Sequence, residues 1–183
     1  MSILQKELYE QLHAEMRVNH DRIASIARRL DLEKLVRRPT PDAWSVGEVL
    51  EHLVLMDALF LSASEPLVRT TRPDAGASSR PFRESFLGKR IAGALVKPKA
   101  LKSPKAAVPT TPRPGVVEAF LAGDARFLAL IEAARALDWN AARLRPPIAP
   151  WLPILINLGD VFHIHTVHVR RHLAQIERVT AGL

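Results

Sequence analysis

The stretch Ser45-Val46-Gly47-Glu48-Val49-Leu50-Glu51-His52-Leu53-Val54-Leu55-Met56 decides the fold class, because it reads as a helix start that runs straight into a buried helix. Ser45 and Glu48 stand three apart as a capping box, in which hydroxyl and carboxylate each satisfy an amide left open by the first turn. Val49, Leu53, Met56 and Phe60 then recur on one side at helical spacing. Three further segments share this period, and none shows convincing strand alternation. The first runs from about residue 2 to residue 30 through Leu8, Leu12, Met16, Ile23, Ile26 and Leu30. The second, which holds the quoted stretch, runs from 45 to about 65 and is predicted to stop before Pro66. The third spans about 115–136 and the fourth about 153–180. Four helices of this length predict an all-α four-helix bundle. A connection of 45 residues at 69–113 separates the second helix from the third and is long enough to cross the bundle. It lets those two run parallel, so the expected order is up-down-down-up, in a single domain over 1–183.

The crossover also explains the charge. The 183 residues hold 26 Lys and Arg against 19 Asp and Glu, a formal net charge of +7. Residues 69–113 carry eleven of those bases against Asp74 and Glu84, so this segment holds +9 and the rest of the chain −2. It contains six prolines and the run Gly76-Ala77-Ser78-Ser79, and reads as a connection outside the core, interrupted by a short helix at about 84–96. Its bases suit a lid or strap for an anionic partner, or a crossover kept soluble by charge. Aromatic side chains are not interleaved with the bases, so nucleic-acid binding is not predicted. With 48% hydrophobic and 25% charged residues the chain can build a core. Cysteine is absent, which excludes disulfides, thiolate metal sites and a cysteine nucleophile. Met1 to Leu12 alternates charge with apolar residues and resembles neither a signal peptide nor a membrane span. The expectation is a soluble cytoplasmic protein acting on a small molecule.

Polar residues fall on the buried face of every helix. His52 lies within the apolar arc of the second helix, and Asp124 sits at the centre of the third helix's stripe. In the fourth, Val161, His165, His168, His172, Ile176 and Val179 share one face while His163 points away; Asn19 and His20 approach the stripe of the first. Such groups are normally paired, hydrogen-bonded or metal-bound, since an unpaired buried charge is costly. His168 and His172 are one turn apart and can reach a common cation, with His52 supplying a third direction. Three nitrogens with an open fourth position describe a catalytic metal site. The alternative is a set of partly buried histidines bonded to carbonyls or water.

Two stretches resemble the DinB-like (DinB/YfiT) metalloenzymes. Trp44-Ser45-Val46-Gly47-Glu48-Val49-Leu50-Glu51-His52-Leu53 is similar to that family's W-S-x-x-E-x-x-x-H-L, and His168-Val169-Arg170-Arg171-His172-Leu173-Ala174-Gln175-Ile176 to its H-x-x-x-H-x-x-Q-I. The resemblance covers nearly the whole chain. It implies an up-down-down-up bundle, a divalent metal on His52, His168 and His172, and often a homodimer. Family members of known activity include thiol-dependent S-transferases and isomerases that use a low-molecular-weight thiol; hydrolysis is attributed to others.

Neutral imidazoles are required for such a site, so metal affinity should fall as pH drops toward and below about 6.5. Zinc is the first choice, with nickel and iron also suited to these ligands. Glu48 either caps its helix or orients the His52 ring. Asp124 either accepts a ring N–H from a ligand histidine or pairs with His20. His165 is an alternative ligand or a proton carrier lining the pocket, and Gln175 either supports the site or bonds to the second helix. Asp124 and His165 are thus the candidate catalytic residues. The leading expectation is an S-transferase in which the metal activates an external thiol; the rivals are a metal-dependent hydrolase, with Asp124 or His165 moving the proton, and a bundle that binds a metal or ligand without turnover.

Overall fold

A computed structural model describes residues 3–97 and 102–182; Ser2 at the expected start of the first helix and residues 98–101 of the crossover lie outside the described residues. The described residues are mostly helical: α1 (Gln5–Ala27), α2 (Leu32–Val36), α3 (Val46–Thr70), α4 (Phe86–Leu95), α5 (Val116–Ala133) and α6 (Leu158–Ala181), with β1 (Arg143–Leu144) and β2 (Ile156–Asn157). The four long helices pack so that α1 and α3 each lie against both α5 and α6, and α4 lies on α6. Between them lies a core that includes Met16, Leu53, Phe60, Phe120, Phe127, Ile131 and Phe162, all nearly or fully buried. Each such side chain contributes roughly 1.5–3 kcal/mol by leaving water, and this offsets the entropy of ordering the helices.

Several boundaries differ from the sequence expectation. Helix α3 runs through Pro66 to Thr70 instead of stopping at 65. Proline lacks the N–H that would bond to Ser62, but that carbonyl sits on an exposed turn, and the last turn packs Leu67 and Val68 against the core. Thr70 Oγ1 also donates to the Pro66 carbonyl at 2.9 Å. A short helix, α2, was not expected; Asp31 caps it by accepting from the Lys34 amide. Strand pairing, also unexpected, consists of two residues on each side, Arg143 opposite Asn157 and Leu144 opposite Ile156, in antiparallel register. It delays the start of α6 to Leu158, where Asn157 and Asp160 form the capping box.

The largest correction concerns the crossover. Far from lying outside the core, it buries Ala77, Ile91, Ala92, Leu95 and Ala107. Its helix α4 follows the expected position, capped by Ser85, and is held against the start of α6 by one carboxylate. Asp160 accepts from the Asn157 amide through Oδ2 at 2.9 Å and from the Ser85 amide through Oδ1 at 3.0 Å. α4 and the segment before it approach α6 so closely that Gly88 meets the Asp160 side chain and Gly159 meets the Phe82 ring, with no space for a β-carbon at either. Gly88→Ala should therefore lower stability by about 1–3 kcal/mol in urea unfolding, despite alanine's better helix propensity. A stabilised variant would show that α4 is not seated on α6 as described.

Candidate metal centre

The capping box of α3 orients its first turns and so aims His52. Ser45 Oγ accepts from the Glu48 amide at 3.2 Å and Glu48 Oε2 accepts from the Ser45 amide at 2.9 Å. The Arg38 guanidinium closes on the same carboxylate in a bidentate pair. Burial opposes ionisation of Glu48, yet Arg38 and the Ser45 contacts hold its carboxyl below the usual range. Glu48 thus caps the helix, and no bond joins it to His52. One turn on, Glu51 takes the Arg113 side chain and amide, the side-chain bond being the main reason its carboxyl is also lowered. Arg113 stands at the end of the crossover, so this pair ties the crossover to α3.

Among the described residues, one group of His, Asp and Glu side chains brings three ligand atoms within 4.8 Å of one another: His52, His168 and His172, all buried. Nε2 of His168 lies 3.1 Å from Nε2 of His52 and 3.1 Å from Nε2 of His172. His52 Nδ1 donates to the Ala107 carbonyl at 2.6 Å, and His172 Nδ1 donates to Gln175 Oε1 at 2.9 Å. Each of those rings carries its proton on Nδ1, because the partner oxygen is an acceptor. Their Nε2 atoms then present lone pairs to His168, whose own Nε2 has at most one proton to offer. At least one of the two 3.1 Å contacts is therefore lone pair against lone pair. A cation between the three nitrogens removes that conflict, and the donor set fits a metal on these grounds. The His168 Nδ1 atom is buried without a hydrogen-bond partner.

Protonation follows the same geometry. Burial lowers the His52 pKa, partly offset by the Ala107 carbonyl. Burial and the neighbouring imidazoles push His168 well down, and burial with His52 beside it takes His172 to about 3. All three are neutral near pH 7. Protons therefore compete with a metal at a lower pH than at ordinary histidines, whose value is about 6.5. The same three rings form part of the wall of a cavity of about 890 Å³.

The two candidate catalytic residues lie elsewhere. Asp124 Oδ2 pairs with His20 Nδ1 at 2.8 Å, raising the His20 pKa, and reaches no ligand histidine. His165 Nε2 meets Asp57 Oδ1 at 2.8 Å, and its ring stacks on Phe127 with centroids 3.6 Å apart. Burial pushes the Asp57 carboxyl upward against the pull of His165. Neither Asp124 nor His165 lines the cavity. Gln175 bonds to His172 rather than to α3, and His163 faces Glu84 at 3.1 Å. Asp57 and Ala107 were missed by sequence reasoning. Asp57 had a signal, since Leu53, Asp57, Phe60, Leu61 and Ser64 recur at helical spacing on the buried side of α3. Ala107 acts through its backbone and had none.

A family model for the DinB superfamily matches residues 15–176, and the chain belongs to that superfamily. Comparison with curated proteins and with solved structures gave no match.

The lowered imidazole pKa values make the metal-free fold sensitive to acid. Below about pH 6.5 the unfolded chain binds protons that the folded histidines refuse, so stability falls as pH drops from there toward about 3, where His172 itself titrates in the folded state. Each such group contributes a slope of up to about 1.4 kcal/mol per pH unit. Urea unfolding of chelator-treated protein between about pH 7 and pH 5 should show this slope, shallower in His172→Ala by about one proton. Equal slopes in the two proteins would mean that the His172 ring is not held neutral.

Proposed function

Taking DinB-superfamily membership as the premise, we propose that the chain is a metal-dependent enzyme, a thiol-dependent S-transferase with its metal on His52, His168 and His172. The observation that carries this reading is the convergence of three lone-pair nitrogens in the wall of a large cavity. In the same reading the four long helices run up-down-down-up and the chain forms a homodimer in the cytoplasm. Zinc, nickel or iron would suit the three imidazoles. When bound, such an ion supplies a Lewis acid that lowers the pKa of an external thiol.

The chain's own residues do the rest. Ala107 and Gln175 fix the tautomer and ring orientation of His52 and His172, which keeps both Nε2 lone pairs inward. The apolar cavity wall excludes water from the sulfur nucleophile and its partner. The sulfur forms a bond to an electrophilic carbon, the leaving group departs with the bonding electron pair, and the thiol proton passes to solvent. No cysteine of the chain competes for the electrophile. Asp124 and His165 act in this reading as positioning residues. Their polar atoms pair with His20 and Asp57, and His165 lies one turn before His168, where it braces α6 from behind.

Purified protein should hold about one divalent transition metal per chain, and His168→Ala or His172→Ala should each remove most of it. Elemental analysis of the folded variants checks this; full retention in both would refute the ligand set. Turnover of a halogenated aromatic electrophile should require both metal and an added low-molecular-weight thiol. Cleavage of esters or amides without thiol would replace the transferase reading with a hydrolase.

A further inference from the structure

The second half of the crossover is held to α3 at three neighbouring points. Pro112 packs on Gly47 so closely that a β-carbon there would lie 3.1 Å from the proline Cγ. The Arg113 amide and guanidinium both reach the Glu51 carboxylate. One residue further along α3, His52 Nδ1 donates to the Ala107 carbonyl at 2.6 Å, while Ala107 itself is buried in the core. Residues 104–113 belong to no α-helix or strand, and Pro104, Pro109 and Pro112 have no amide to pair. A single 3-10 turn at Lys105–Ala107 places the carbonyl, with the Ala107 amide donating to the Pro104 carbonyl at 2.8 Å. A stretch with so few backbone bonds can open without the bundle opening with it. Pro104, Lys105 and Ala106 also line the cavity beside the imidazoles.

The three rings differ in what lies behind them. His172 has its outer partner, Gln175, on its own helix, and His168 Nδ1 is buried with none among the described residues. His52 alone is tied through Nδ1 to a separate element. We infer that residues 104–113 are a metal-coupled wall: filling the imidazole site and seating this segment on α3 are one linked equilibrium, joined through the His52–Ala107 bond. The Ala107 carbonyl holds the His52 proton on Nδ1 and so aims the Nε2 lone pair inward. The outer partner of a ligand histidine contributes about 10- to 100-fold to metal affinity. Binding linkage is reciprocal, so an ion on His52 favours the seated segment over the open one by that same factor. Arg113 and Pro112 set how often the segment opens, and the imidazoles set how far a metal suppresses the opening. This rests on the metal centre proposed above and not on the transferase chemistry.

The test is limited trypsin digestion of the full chain, zinc-loaded or chelator-treated, with the initial rate of each cut read by mass spectrometry. The Lys105 side chain is exposed, but its peptide bond lies in the turn anchored at Ala107, so cutting there follows the open population. Arg29, in the exposed turn after α1, is the reference site in the same digest. Zinc should slow the Lys105 cut by about 10- to 100-fold and the Arg29 cut by less than about twofold. Arg113→Ala, which strips the buried Glu51 carboxylate of its partner, should raise the Lys105 rate in chelator-treated protein at least about tenfold. Zinc should then slow that cut by the same factor, so this variant reads the linkage even where the wild-type segment opens too rarely to be cut. Zinc held by both proteins with an unchanged Lys105 rate, or slowing equal at Lys105 and Arg29, would overturn the inference and leave the metal centre standing. A wild-type chain that holds no zinc would reject the metal centre, and this inference with it.

Discussion

Packing of α3 against α6 forces three imidazoles into one buried cluster, and this constraint governs the rest of the structure. Neutral imidazole is the only side chain that tolerates such crowding while offering a strong lone pair near pH 7. The cost is visible in the pKa of His172, driven to about 3 by burial and by its neighbour. Two of the rings are kept in register by acceptors outside the cluster, one from the crossover and one from the next turn of α6. Remove either acceptor and the corresponding Nδ1 proton is buried without a partner, a loss of about 1–3 kcal/mol. The lone pairs then point inward because the protons have been drawn outward.

The crossover is the element that makes this arrangement a site. Its bases suggest a solvated strap, yet the structure divides them by task. Arg113 clamps Glu51 at the start of α5, Arg80 bridges Asp74 and Asp138, and Lys102 and Lys105 are left on the cavity. Between them the backbone turns inward at Ala107 to meet His52. Carboxylates near the cavity are neutralised by arginines on their outer sides, so the interior potential stays positive without a buried unpaired acid. The excess charge of the crossover is thus shared among ion pairs, exposed bases and the two lysines on the cavity.

How much of this was legible in the sequence depends on the range of the interaction. The four long helices and the inward direction of His52, His168 and His172 follow from side-chain period alone, because a helix fixes which residues share a face. The capping boxes at Ser45 and Asn157 differ in this respect. Ser45 was readable from the i, i+3 pair, whereas the Asn157 cap was masked by the prolines before it and by a strand of two residues, too short to show alternation. Pro66 misled because the rule that proline ends a helix assumes a buried or unsupported carbonyl one turn back. Ala107 could not be read at all: its carbonyl reaches His52 across 55 positions, and any residue type can supply a carbonyl. Sequence therefore exposed the candidate ligand side chains and one of their two supports, Gln175, and concealed the other, the Ala107 carbonyl.

The second polar cluster shows why inward-facing polarity did not by itself identify reacting groups. His165 shares the buried face of α6 with His168 and His172, and Asp124 sits in the stripe of α5, so side-chain period ranks them equally with the ligand candidates. What separates them is the neighbour each finds. His165 is sandwiched against Phe127 and bonded to Asp57, and Asp124 is bonded to His20, so both have partners within the bundle. His52, His168 and His172 find only one another along their Nε2 edges. A buried group that satisfies another buried group makes the packing specific; a set of groups that cannot satisfy one another requires something from outside. That difference, set by which helix lies opposite and not by the residue types, separates the paired inward histidine of α6 from the three that are candidate ligands.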